Sequence, residues 1–158
     1  MILTEKNTIL QAIGMGAIAG MRAMSAPALI SHQLHNKPSH LLADSPLRYL
    51  QNDWVATGLK VFAASELAGD KMPQASDRII LPSLLTRAAS GALVGATVFA
   101  TQKNKPLVGA LVGAAAAIGA TYASFYGRKA LSAYLPDTAC GVIEDIITIG
   151  AGWAIARQ

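Results

Sequence analysis

The 158-residue chain is short of charge: Asp, Glu, Lys and Arg make up 14% of it, against 53% hydrophobic residues. Soluble domains ordinarily carry about 25% charged residues, so a water-soluble enzyme with a charged surface fits poorly. Disorder, which needs low hydrophobicity, does not fit either. The 13 basic residues never stand three in a row and are not interleaved with base-reading side chains, so nucleic acid is not expected as a partner. Cys140 is the only cysteine, which excludes an intramolecular disulfide and a Cys-based zinc site. Period-two alternation and β-branched enrichment are missing, so no segment reads as a strand.

What the chain has instead is 30 alanines, 14 glycines and long charge-free runs. Residues 7–21, 88–102 and 106–127 contain no charged side chain, and the last meets the span length of about 20 residues unaided. The expectation is an all-α, polytopic membrane bundle, a single transmembrane domain over residues 1–158. Five Gly/Ala-rich helices are read at 8–32, 53–71, 82–102, 106–130 and 138–156, with a polar loop at 33–52 that holds a short interfacial helix at 47–50. Mean hydropathy is a modest +0.39 because Ala and Gly contribute little, and an Ala-rich soluble bundle is the competing class. The punctuation agrees with helices: Asp53 as a cap, Met72-Pro73 as a stop, Pro82-Ser83, Asn104-Lys105-Pro106 and Pro136-Asp137-Thr138 as starts.

The apolar run at 8–21 followed by Ala26-Pro27-Ala28 imitates a signal peptide with its cleavage site. Glu5 and Lys6 cancel, however, and Arg22 interrupts the segment, so a retained first span is expected. Orientation is undecided in the five-helix reading: Lys6, Lys71, Arg78, Arg128 and Lys129 fall on one side, Lys37, Arg48, Lys103, Lys105 and Arg157 on the other. A tie of this kind admits a mis-drawn helix, functional basic residues, or insertion both ways as an antiparallel dimer.

Gly91-Ala-Leu-Val-Gly-Ala96 recurs letter for letter at 109–114, and Gly16 and Gly20 repeat the spacing. In lipid, small residues one turn apart let helix backbones approach, so Gly16, Gly20, Gly91, Gly95, Gly109 and Gly113 are read as packing positions. A glycine-lined pore is the functional alternative. A weaker echo relates Arg22-Ala-Met-Ser-Ala26 to Lys129-Ala-Leu-Ser-Ala133, the pattern of an internal inverted repeat, with Pro27 placed to break the first helix. Gly14-x-Gly16-x-x-x-Gly20 is not a dinucleotide turn, since no strand precedes it.

An ionisable group at the bilayer centre costs about 2.5–3.5 kcal/mol on insertion scales and usually faces the bundle interior with a partner. The candidates are Arg22, Glu66, Asp70, Lys71, Arg78, Arg87, Glu144 and Asp145. Glu66 and Asp70 share a helix face, where two carboxylates repel unless a proton, a metal ion or a basic group separates them. Pairing of both with Arg22 or Arg87, and of Glu144 with the remaining arginine, is the arrangement of lowest cost. These charges form either buried ion pairs that fix helix register or an acidic ion site framed by arginines. Asp70, Lys71, Asp77 and Arg78 at a membrane surface would need neither explanation. His32, His35 and His40 read as solvated loop residues, not metal ligands.

Gly20-Met-Arg22 with Ala26-Pro27, Glu66-x-x-x-Asp70-Lys71-x-Pro73, Arg78, Pro82, Arg87 with Ser90-Gly91-Ala92 and Gly95, and Glu144-Asp145 together resemble the family of small bacterial membrane proteins called domain of unknown function 4126. The resemblance implies an integral location in a bacterial inner membrane, with the bilayer as partner; it implies no substrate. The residues themselves point first to a small transporter or channel for a cation, proton or small solute, working as a homo-oligomer and without a cofactor. The alternatives are a membrane enzyme acting on lipid or prenyl phosphates, with Mg²⁺ on Glu66 and Asp70 and phosphate on Arg78, Arg87 or Lys71, and a non-catalytic packing subunit. No nucleophile triad is visible, which counts against an enzyme.

Overall fold

Proline and asparagine set several of the helix starts. Pro82 and Pro106 occupy first turns, where a missing N–H costs nothing. Asn52, one residue earlier than the sequence suggests, caps another helix by accepting from the Trp54 N–H at 3.0 Å. The computed structural model describes residues 5–69, 80–132 and 137–156. The described residues are all-α: α1 (Glu5–Met21), α2 (Ser25–Asn36), α3 (Asp53–Gly69), α4 (Leu81–Ala100), α5 (Pro106–Leu131) and α6 (Asp137–Ala156). Two 3₁₀ turns, His40–Leu42 and Pro46–Gln51, lie between α2 and α3. Among the described residues two helices, α4 and α5, are long and apolar enough to cross a membrane.

The expected first helix over 8–32 is corrected. It stops at Met21, turns through Arg22, Ala23 and Met24, and α2 doubles back. Three contacts fix the direction. Gln11 Nε2 donates to the Ile155 carbonyl at 3.1 Å, so the start of α1 lies beside the end of α6. Arg22 meets Asp145, so α1 and α6 run antiparallel. His32 then stacks on Trp153 at 5.9 Å, which returns α2 to the end where α1 began. Ile18 and Leu29 both border Gly152, although a continuous helix would hold them about 16 Å apart. Helix α6 thus sits in the mouth of a V formed by α1 and α2. His32 and His35 belong to α2, and the 33–52 segment is the end of a helix plus two 3₁₀ turns, with Leu42 and Leu50 buried beneath it.

The core is α5 laid between α1 and α4. Its inward face is a ladder of Gly109, Gly113, Ala117 and Thr121, one residue per turn. A Cβ on Gly95 or Gly113 would come closer than 3.0 Å to the Gly109 or Gly91 carbonyl across the α4–α5 contact, and one on Gly16 or Gly20 would do the same to Gly113 or Ala117 on the α1 side. These glycines therefore admit a backbone-to-backbone approach that alanine would block. Met15, Leu42, Val94 and Val98 are buried together with Arg22, Thr97, Thr121 and Thr148, while Leu107, Leu111, Ile146 and Ile147 are exposed. Buried polar groups beside exposed large apolar ones are the informative departures from an ordinary soluble pattern.

Both α1 and α6 start or end at the same end of the bundle as the α4–α5 turn, where Thr8 Oγ1 lies 3.4 Å from Gln102 Oε1. We call this end the base. Helical rise places Arg87 about 20 Å above the end of α4 and Thr121 about 22 Å above the start of α5. The α1–α2 turn is therefore a hairpin tip held inside the bundle, with α5 continuing about 15 Å beyond it.

Candidate functional site

A turn between two helices leaves backbone groups without helical partners; here the Ser25 N–H donates to the Arg22 carbonyl at 3.3 Å, and five others meet side chains. Helix α1 would have sent its Gly20 carbonyl to the Met24 N–H. That N–H instead donates to Glu66 Oε2 at 2.9 Å, and the neighbouring Ala23 N–H donates to Glu66 Oε1 at 2.9 Å. The Gly20 carbonyl accepts from Arg87 Nη1 at 2.6 Å and lies 3.0 Å from the Thr121 hydroxyl, while Met21 O accepts from the same Arg87 nitrogen at 2.9 Å. Pro27 has no N–H to offer the Ala23 carbonyl four residues back, and the Ser90 hydroxyl donates to that carbonyl instead.

The electrostatics follow the helix dipoles. The negative end of α1 faces the Arg87 guanidinium, and the positive end of α2 faces the Glu66 carboxylate. Arg22 itself, 1% exposed, points toward α6, where Nη2 meets Asp145 Oδ1 at 2.5 Å. Next to it Glu144, also buried, lies 3.9 Å from Arg128 Nη1 on α5. Arg87 is further oriented by Nε against Ser83 Oγ at 3.3 Å, one turn earlier on α4. Four helices thus send ionic or polar groups to a single tip.

For Glu66 and Glu144 the partners differ from those that spacing suggested, while the part of that pairing that involves Asp70 lies outside the described residues. Glu66 serves two backbone N–H groups, Arg87 serves two backbone carbonyls, and Arg22 takes Asp145. The reason is the turn itself: its bare N–H and C=O groups compete for the same side chains, and hydrogen bonds to charged groups are the stronger ones. Asp70, Lys71 and Arg78 lie outside the described residues. With both Glu66 oxygens on backbone N–H groups, the described residues hold no cluster of three His, Cys, Asp or Glu that could bind a metal ion.

Sequence reasoning missed Ser90, Thr121 and Arg128. For Ser90 the signal was present: it stands three residues after Arg87, so both project from one face of α4 toward the tip. The glycine pairs Gly91/Gly95 and Gly109/Gly113 face each other, and Gly16 and Gly20 face α5. Where the first helix breaks at Arg22, its proposed counterpart α5 stays helical through Lys129.

Comparison with known proteins identifies a family. A family profile described as Domain of unknown function (DUF4126) covers residues 9–156, nearly the whole chain. No curated protein and no solved structure matches the chain.

Proposed function

We propose, from the premise that the chain belongs to the DUF4126 family, that it is an integral membrane protein that moves a proton, a cation or a small solute across the bilayer. The observation that carries this reading is the hairpin tip, where a helix is interrupted inside an apolar bundle and its break is lined with Arg22, Glu66, Arg87 and Asp145. Irregular backbone at membrane depth is tolerated where protein groups satisfy it, and discontinuous helices of this kind hold the ion and substrate sites of many transporters. The membrane setting is supported by the two span-length helices α4 and α5 and by the outward Leu and Ile side chains.

The chemistry available is exchange at Asp145. A proton or cation arriving at that carboxylate competes with Arg22 for it, and a released Arg22 changes the charge that the tip presents. Binding is thereby linked to the position of α6, which carries both Asp145 and Glu144.

Purified protein in proteoliposomes should dissipate an imposed pH or cation gradient, and Asp145→Asn should remove that flux while remaining monodisperse. Equal flux in wild type and Asp145→Asn would sink the site assignment. A second reading, a packing subunit without transport, is favoured by the saturation of the tip's backbone with protein groups. Its mark is a wild-type protein with no flux above empty vesicles.

A further inference from the structure

We propose that the base of the bundle is the cytoplasmic end of the protein and rests on the anionic headgroups of that leaflet. The proposal builds on the membrane reading above. Doubling back of α2 brings the 37–52 connection to the end where α1 starts and where α4 turns into α5. The start of α1, with Lys6, then shares a side with Lys37, Arg48, Lys103 and Lys105, while among the described residues Arg128 and Lys129 stand at the other end, so the even split of the five-helix reading does not hold. At the opposite end Arg128 is half-buried and faces Glu144, so it is not presented to the surface as Lys37, Arg48, Lys103 and Lys105 are. Basic residues in short loops set orientation toward the cytoplasm, and near an anionic leaflet they gain further attraction.

Two more features at the base fit a headgroup layer. Trp54 is 85% exposed and Tyr49 57%, the latter with the Arg48 guanidinium 5.2 Å from its ring centroid, the residue types that populate a membrane interface. Lys103, in the turn that follows α4, has φ 60°, and Asn104 N–H closes the cap onto Phe99 O at 2.9 Å. Glycine takes that left-handed position at lower cost. A lysine there supplies a charge that glycine would not.

Single-cysteine reporters in a Cys140→Ser background test the orientation: Ala43→Cys at the base and Ser132→Cys at the other end, probed with a membrane-impermeant maleimide. In intact cells Ser132→Cys should label and Ala43→Cys should label only after permeabilisation. Reversed labelling, or partial labelling of both, overturns the orientation. A protein that leaves the membrane fraction on alkaline extraction overturns the membrane reading itself. The headgroup contact is read from detergent-solubilised protein: phosphatidylglycerol should raise the melting temperature by several degrees more than phosphatidylcholine. In the quadruple variant Lys37→Gln, Arg48→Gln, Lys103→Gln, Lys105→Gln that difference should vanish. Equal shifts from the two lipids in wild type, or an unchanged difference in the variant, overturns the headgroup assignment.

Discussion

Arg22 and Asp145, separated by 123 residues in sequence, meet at 2.5 Å with side-chain exposures of 2% and 14%. The pair joins the interruption of one helix to the middle of another. Both side chains are largely shielded from water, so removal of one side is costly.

Asp145→Ala should therefore destabilise the protein by about 3–5 kcal/mol, the usual cost of breaking a buried ion pair from one side. The double variant Arg22→Met, Asp145→Leu should recover much of that loss. Denaturant or thermal unfolding of the purified proteins gives both numbers. A single variant as stable as wild type would mean that the pair holds nothing in place.

Glu66→Gln replaces one acceptor oxygen with an amide donor facing a backbone N–H. The expected cost is about 1–3 kcal/mol. Hydrogen exchange localises it: the Ala23 and Met24 amides should exchange faster, while those of α4 change little.

Ser90 and Pro27 should be coupled through the Ala23 carbonyl. Ser90→Ala leaves that buried carbonyl without its donor at about 1–2 kcal/mol. Pro27→Ala restores a backbone N–H four residues on, which can take the hydroxyl's place. A double-mutant cycle should show Ser90→Ala costing less in the Pro27→Ala background; strict additivity would contradict the bond assignment.

The glycines divide by surroundings. Gly95→Ala and Gly113→Ala push a methyl into a facing carbonyl and should cost about 1–3 kcal/mol each. Gly119 has nothing within 4 Å of its missing Cβ, so Gly119→Ala should be neutral or stabilise by up to about 1 kcal/mol. Melting temperatures of the three variants, measured in one detergent, separate the classes.

Much of the secondary structure was legible because proline speaks locally: Pro82 and Pro106 stand in the first turns of α4 and α5. The doubling back of α2 was not. The apolar run continues on both sides of Arg22, and only Pro27 marks the place, three residues after the turn has been made. Charge spacing singled out Arg22, Glu66, Arg87, Glu144 and Asp145, but it could not assign their partners. Side chains pair with side chains in a sequence reading, whereas Glu66 and Arg87 pair with backbone, which every residue carries and no letter records. Ser90 and Thr121 were hidden for the same reason.

The tip also dictates an order of events during synthesis. Its bonds reach forward by 43 residues to Glu66, 67 to Arg87 and Ser90, and 101 to Thr121. A chain made from its N-terminus completes α1 and α2 long before those partners exist. The nascent hairpin must keep the backbone groups of its turn solvated until α4 arrives, and a ribosome stalled before residue 87 would hold a chain whose first two helices have not yet settled.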